Sequence, residues 1–237
     1  MLSKFQIVGG LLLGLLTTAT PVFALEKTPA VEAFIAQMVK KHHFNANQLT
    51  VLFKSTRLRK DILKIVNKPL EGAHIPTPWY KYRRIFLTDP RIDAGVAFWA
   101  KNQSVLTDVE QKYGVPAQII VAIIGAETFY GRDTGHYRLM DALSTLAFYY
   151  PKRSRFFLTE LENFLLLCRE EKLDPLTPRG SYAGAMGLAQ FMPSSFRTYA
   201  IDFDKDKRRD IWANPADVIA SVANYLVKYG WGAGAAV

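Results

Sequence analysis

The chain has 237 residues, 49% of them apolar and 13% aromatic, with a formal net charge of +9 and a sequence pI near 9.6. That composition excludes a disordered chain and supplies one well-filled core with a small accessory region. The basic balance admits nucleic acid, an anionic membrane or an anionic polymer as partner, and a merely solvated basic surface accounts for it equally.

The first residues read as an export signal. Lys4 is the only charge before Glu26, an apolar run spans 7–16, and Val22-Phe23-Ala24 fits a small-x-small cleavage site. The run is short for a bilayer, so residues 1–24 are expected to form a cleaved secretory signal peptide, with an uncleaved anchor as the alternative. No cysteine stands near the cleavage point, which excludes lipidation at an N-terminal Cys. Export to the periplasm turns the basic charge away from nucleic acid and towards cell-wall material or the membrane surface. The single cysteine, Cys168, cannot form an internal disulfide. It follows Phe164-Leu165-Leu166-Leu167 and reads as a small buried hydrophobe, with no histidine in a recognisable base relation to it.

From Glu26 to about Val66 the pattern is helical, with Val31, Phe34, Ile35, Met38 and Val39 at helical spacing. Pro69 to Pro78 is a break. An aromatic and basic segment, Trp79 to Phe86, precedes a helix predicted from Asp89-Pro90 through Trp99 towards Tyr113, stopped by Gly114. Pro116 opens a run, Ala117 to Glu127, that is apolar almost all round and predicts a helix in the middle of a domain. Further helices are expected at about 141–149 and 154–171. A loop covers 175–187, Gln190 to Phe196 feeds a helix with Ser194 as a candidate cap, and the last helix runs from Pro215 to Lys228. The small-residue tail after Trp231 carries no core-forming pattern and reads as an interrupted chain.

The sole carboxyl of the apolar run is Glu127, at its far end. Ile123 and Ile124 lie on its side of the helix, so the group loses water and its pKa rises; the negative end of the helix dipole acts in the same direction. Such an acid can stay protonated near neutral pH and donate to a glycosidic oxygen. From the helix alone, a Glu facing solvent or paired with Arg132 is an equal reading.

Wider motifs separate the two. Gly125-Ala126-Glu127-Thr128-Phe129-Tyr130-Gly131-Arg132 closely resembles the catalytic motif of the membrane-bound lytic murein transglycosylase B family. Pro78 to Arg83, Gly95 to Trp99, Tyr113 to Pro116, Asp141 to Leu146, Gly180 to Gly187 with Gln190 to Ser195, and Ser221 to Leu226 match in order, covering about residues 70 to 232. The resemblance implies a mainly α (α+β), lysozyme-like core. Residues 25–100 would form an N-terminal helical region, 101–232 the catalytic core with an EF-hand-like loop at 202–217, and 233–237 a truncated tail. It implies cleavage of the β-1,4 bond between N-acetylmuramic acid and N-acetylglucosamine in peptidoglycan, leaving 1,6-anhydro-muramyl ends. Glu127 would be the single acid/base residue, with no catalytic cofactor, and Asp133 and Asp141 take no catalytic role. Tyr82, Ser181, Gln190 and Tyr225 match positions lining the glycan groove, where hydroxyls and amides suit sugar hydroxyls and Tyr rings suit sugar faces; ordinary packing and turn bonding are the alternatives.

The loop Asp202-Phe203-Asp204-Lys205-Asp206 has carboxylates at positions 1, 3 and 5 of a calcium loop, with Arg208 as carbonyl donor and Asp217 as closing carboxylate. Lys207 stands where a glycine makes the sharp turn, and the loop is long. Structural calcium and a self-neutralising salt-bridged loop both remain open. For the whole chain the alternatives are a non-catalytic peptidoglycan-binding remnant and a true hydrolase. Expected partners are glycan strands and membrane or cell-wall machinery.

Overall fold

In the computed structural model the described residues are 25, 28–68 and 77–232. The predicted signal peptide (1–24), most of the 69–78 break and the tail (233–237) lie outside them. Among the described residues no helix is long and apolar enough to cross a membrane.

The fold is mainly helical, as predicted. The N-terminal pattern divides into α1 (Pro29–His42), α2 (Ala46–Lys54) and α3 (Lys60–Val66). Thr28 accepts from the Val31 N–H at the start of α1, and the Asn45 carboxamide accepts the N–H groups of Asn47 and Gln48 at the start of α2. A short helix α4 (Trp79–Tyr82) and a 3₁₀ turn (Arg83–Ile85) lead into α5 (Asp89–Lys101) and α6 (Gln103–Tyr113). The sequence predicted α5 and α6 as one helix. The break falls at Asn102, a nearly buried residue outside helical geometry whose side-chain amide donates to the Phe98 carbonyl at 2.7 Å. Gly114 ends α6 with a φ of +67°, as its position predicted.

Next come α7 (Ala117–Thr128), α8 (Leu139–Tyr149) and α9 (Ser154–Glu170). A two-residue antiparallel ribbon pairs β1 (Tyr137–Arg138) with β2 (Arg179–Gly180), in the register Tyr137 opposite Gly180. The close approach needs Gly135, where a Cβ would stand 2.2 Å from the Gly180 carbonyl oxygen. Helices α10 (Pro193–Tyr199) and α11 (Pro215–Lys228) complete the order. Ser194 is not the cap of α10: the helix starts after Met192, and the N–H and hydroxyl of Ser194 donate to the buried Glu160 carboxylate of α9 at 2.9 and 2.7 Å. A remote anion thus occupies the helix start in place of a local cap.

Helix α8 is the most enclosed element, buried at every residue from Leu139 to Ala147, and packs along α9. Buried residues from α1–α3 and from α6–α11 join one continuous core. Phe34, Phe53 and Phe148 meet edge to face across α1, α2 and α8. Cys168 lies in this core, and burial pushes its thiol up to about 12, so it is packing material and not a nucleophile.

Candidate active site

The apolar run predicted a central helix, and α7 departs from that in one respect. Ile120, Val121, Ile124 and Gly125 are buried, while Gln118, Ala122 and Ala126 at helical spacing form an exposed stripe that ends in two short side chains. Glu127 stands beside that stripe, in the last turn. Its side chain reaches the surface, yet the surrounding protein removes part of the carboxyl's hydration and raises its pKa above the ordinary value. The last turn of α7 contains no basic residue to oppose this. Arg132, the expected competing partner, lies instead over the Phe129 ring at 4.5 Å. Among the described residues Glu127 has no hydrogen-bond or ion-pair partner. A cavity of about 360 Å³ lies elsewhere, against Leu173, Arg179, Arg208 and Trp212; Glu127, like Ala122 and Ala126, is exposed among the described residues. An open face suits a polymer better than a small ligand.

The turn beyond Glu127 is built with unusual backbone. Phe129 and Tyr130 both have positive φ, +52° and +57°, a region that costs non-glycine residues energy. Their N–H groups return to the carbonyls of Gly125 and Ile124. The buried Thr128 hydroxyl lies 3.0 Å from the Leu188 carbonyl, to which it donates, and accepts the Gly131 N–H. This ties the acid-bearing helix to the loop that carries Gln190. The Tyr130 ring packs on Phe98, and its hydroxyl lodges where α5 and α7 touch, against Gly95 and Gly125.

The other predicted residues are arranged as follows. The Ser181 hydroxyl oxygen accepts the N–H groups of Ala183 and Ala185, which leaves its own proton to donate. Gln190, at φ +49°, donates its amide to the carbonyls of Gly187 and Thr134, which leaves its side-chain oxygen as an acceptor. Tyr225 is part of an aromatic cluster with Phe191, Tyr199 and Tyr229, next in sequence to Gln190 through Phe191. Tyr82 is exposed and touches Trp79 and Phe86; Phe86 in turn lies against Arg91, whose guanidinium covers Phe129. The alternative carboxylate Asp141 is already committed, buried and bonded to Arg138 and the Arg57 N–H.

In the acidic loop, carboxylate oxygens of Asp202, Asp204 and Asp217 all lie within 4.8 Å of one another. Asp217 is buried, and its pKa is raised, first by burial and then by the charges of Asp204 and Asp202. Asp206 does not join them: its carboxylate accepts the Arg208 N–H and its own N–H bonds back to Asp202 and Asp204. Lys207 takes the glycine-like turn itself, with φ +73°. No ion pair links the loop's basic and acidic residues among those described; Arg209 pairs outward with Glu170 and Glu171.

A model of the transglycosylase SLT domain matches residues 26–237. The chain belongs to the transglycosylase SLT domain family. Within that family it is 43% identical over 209 residues to membrane-bound lytic murein transglycosylase B of Escherichia coli K12, covering 86% of this chain. It spans only 58% of that relative's length. The crystal structure of soluble lytic transglycosylase SltB1 from Pseudomonas aeruginosa matches with a TM-score of 0.85 at 52% identity, over 88% of this chain and 69% of that one. Escherichia coli Slt35 in complex with calcium matches with a TM-score of 0.84 at 42% identity, over 91% and 68%. Sequence reasoning singled out Glu127 as the candidate but not the packing around the turn after it, at Gly95, Thr128 and Arg91. A glycine inside a helix with no turn to make, as at Gly95 and Gly125, was the signal available.

Proposed function

We propose that the chain is an exported, periplasmic lytic transglycosylase of peptidoglycan, with Glu127 as its only acid/base group. The observation that carries this is a carboxyl of raised pKa, without a partner among the described residues, on an exposed helix face beside Ala122 and Ala126. Protonated Glu127 gives its proton to the glycosidic oxygen as the bond from C1 of N-acetylmuramic acid breaks. The resulting carboxylate then takes the proton of the C6 hydroxyl, whose oxygen closes on C1. One C–O bond breaks, one forms, and no water is consumed, so no second carboxylate is needed to activate one; the pairing of Asp141 with Arg138 agrees with that. Ser181, Gln190, Tyr82 and Tyr225 would hold the strand, the first two through the hydroxyl proton and amide oxygen left free by their turn bonds.

A structural calcium in the acidic loop belongs to the same reading. Asp202, Asp204 and Asp217 would hold it, and their hard, converging oxygens fit such an ion. Its positive charge would offset what raises Asp217, first its burial and then the charges of Asp204 and Asp202, and it takes no part in the reaction.

Digestion of purified sacculi tests the function. The chain should release anhydro-muropeptides, lighter by one water than hydrolytic products, and Glu127→Gln should release none. Reducing-end products would make it a hydrolase, and binding without products from either protein would make it a non-catalytic binder.

A further inference from the structure

Arg91, in the first turn of α5, has a placement that the reaction above does not use. Its Nε and Nη1 are fully buried and have no hydrogen-bond partner among the described residues. Its guanidinium carbon lies 4.8 Å from the centre of the Phe129 ring and 5.4 Å from that of Phe86. Arg132 contacts the same Phe129 ring at 4.5 Å. Two buried guanidinium N–H groups without an acceptor among the described residues are unfavourable, and contact with the two rings is an attraction that the site offers this charge. The held ring belongs to Phe129, the first of two consecutive non-glycine residues in left-handed conformation, two positions after Glu127.

We propose that Arg91 is a positioning residue for Glu127. By holding the Phe129 ring together with Arg132, it stabilises the left-handed pair and so fixes the direction of the last turn of α7. A helix end would otherwise fray within its last turn, carrying the carboxyl with it. Tyr130 locks the other side of the turn through Phe98 and the Gly95–Gly125 contact. Arg91 acts on the turn through Phe129, and its charge also reaches the Tyr130 hydroxyl on the other side of that turn. This inference rests on Glu127 being the acid/base residue.

The test uses Arg91→Met, which keeps the length without the charge, Arg91→Lys, which restores a cation over the ring, and Phe129→Leu. In Arg91→Met, kcat on a soluble glycan substrate should fall about tenfold with KM nearly unchanged, the effect of a small misplacement of a catalytic group. Arg91→Lys should recover most of that loss, and Phe129→Leu should reproduce it without adding to Arg91→Met. Independently of activity, hydrogen exchange at the Phe129 and Tyr130 amides, which bond back to α7, should accelerate in Arg91→Met while α8 amides keep their rates. Unchanged kcat with unchanged exchange overturns the proposal. So does a loss of kcat that tracks the unfolded fraction, with Arg91→Lys no better than Arg91→Met. Should the wild type release no anhydro products, the acid/base reading fails, and the exchange of those two amides still decides the Arg91 clamp.

Discussion

Tyr130 links α5 and α7 through an unusually narrow notch, and the two glycines there make unequal demands. An alanine Cβ at Gly95 would stand 2.5 Å from the Tyr130 hydroxyl oxygen but 3.1 Å from the ring carbon bearing it. At Gly125 the corresponding distances are 2.3 and 2.5 Å, so the ring itself is in the way. Each substitution should overpack the contact and cost about 1–3 kcal/mol. Against that stands a helix-propensity gain of about 0.5–1 kcal/mol for replacing glycine within a helix. Tyr130→Phe removes only the hydroxyl. It should rescue Gly95→Ala almost completely, with a coupling energy of about 1–2 kcal/mol, and leave most of the Gly125→Ala loss in place. Urea unfolding of the wild type, the two single variants and the double variant at each glycine, with m-values compared, measures both couplings. Equal rescue at the two positions, or no loss in either single variant, would refute the account of a lodged hydroxyl.

Three other outcomes follow from the structure. Glu127→Gln should stabilise the protein at neutral pH and not in acid. Its folded pKa is raised above the ordinary 4.5, so the wild type loses stability as pH rises from that value through the folded one, and the variant does not. A difference in Tm that stays constant with pH would contradict it. Glu160→Gln should cost about 1.5–3 kcal/mol in urea unfolding, because a buried carboxylate at 3% exposure serves both the N–H and the hydroxyl of Ser194 at the start of α10. Calcium at 100 times its Kd should stabilise the chain by about 2.7 kcal/mol, read as a rise in Tm that Asp204→Asn abolishes; no shift at millimolar calcium would leave the acidic loop a hydrogen-bonded turn.

Local signals carried most of the helical layout. Pro116 and Pro215 mark helix starts, and Gly114 closes a helix, because φ restriction and left-handed freedom are properties of single residues. The departures are tertiary. Asn102 divides α5 from α6 through a bond of its own side chain, which apolar periodicity does not register. Ser194 cedes the capping role to Glu160, thirty-four residues earlier in the chain. The raised pKa of Glu127 was legible because an acid at the end of an apolar run is visible in one dimension, whereas its candidate role came from the motif around it. The turn that follows it was not, since Phe129 and Tyr130 have side chains that argue against positive φ, and contacts with α5 and Arg132 override that preference. Likewise, the 1, 3, 5 spacing revealed the acidic loop but not that backbone bonding would divert Asp206 from the converging carboxylates.

The way in which Glu127 is perturbed bears on how the site would work. A cation would lower the pKa and an enclosed pocket would exclude a long strand; here partial burial alone raises it, on a face left open by Ala122 and Ala126. A glycan strand laid over that face removes still more water from the carboxyl and favours its protonated form further. Substrate binding and acid strength are then coupled by solvation, without a second ionisable group to hold the proton. On this proposal the short side chains that would let a strand approach α7 leave the acid's orientation to its own helix end, so the strained turn at Phe129 and Tyr130, and the contacts that hold it, would set the geometry of the chemistry two residues away.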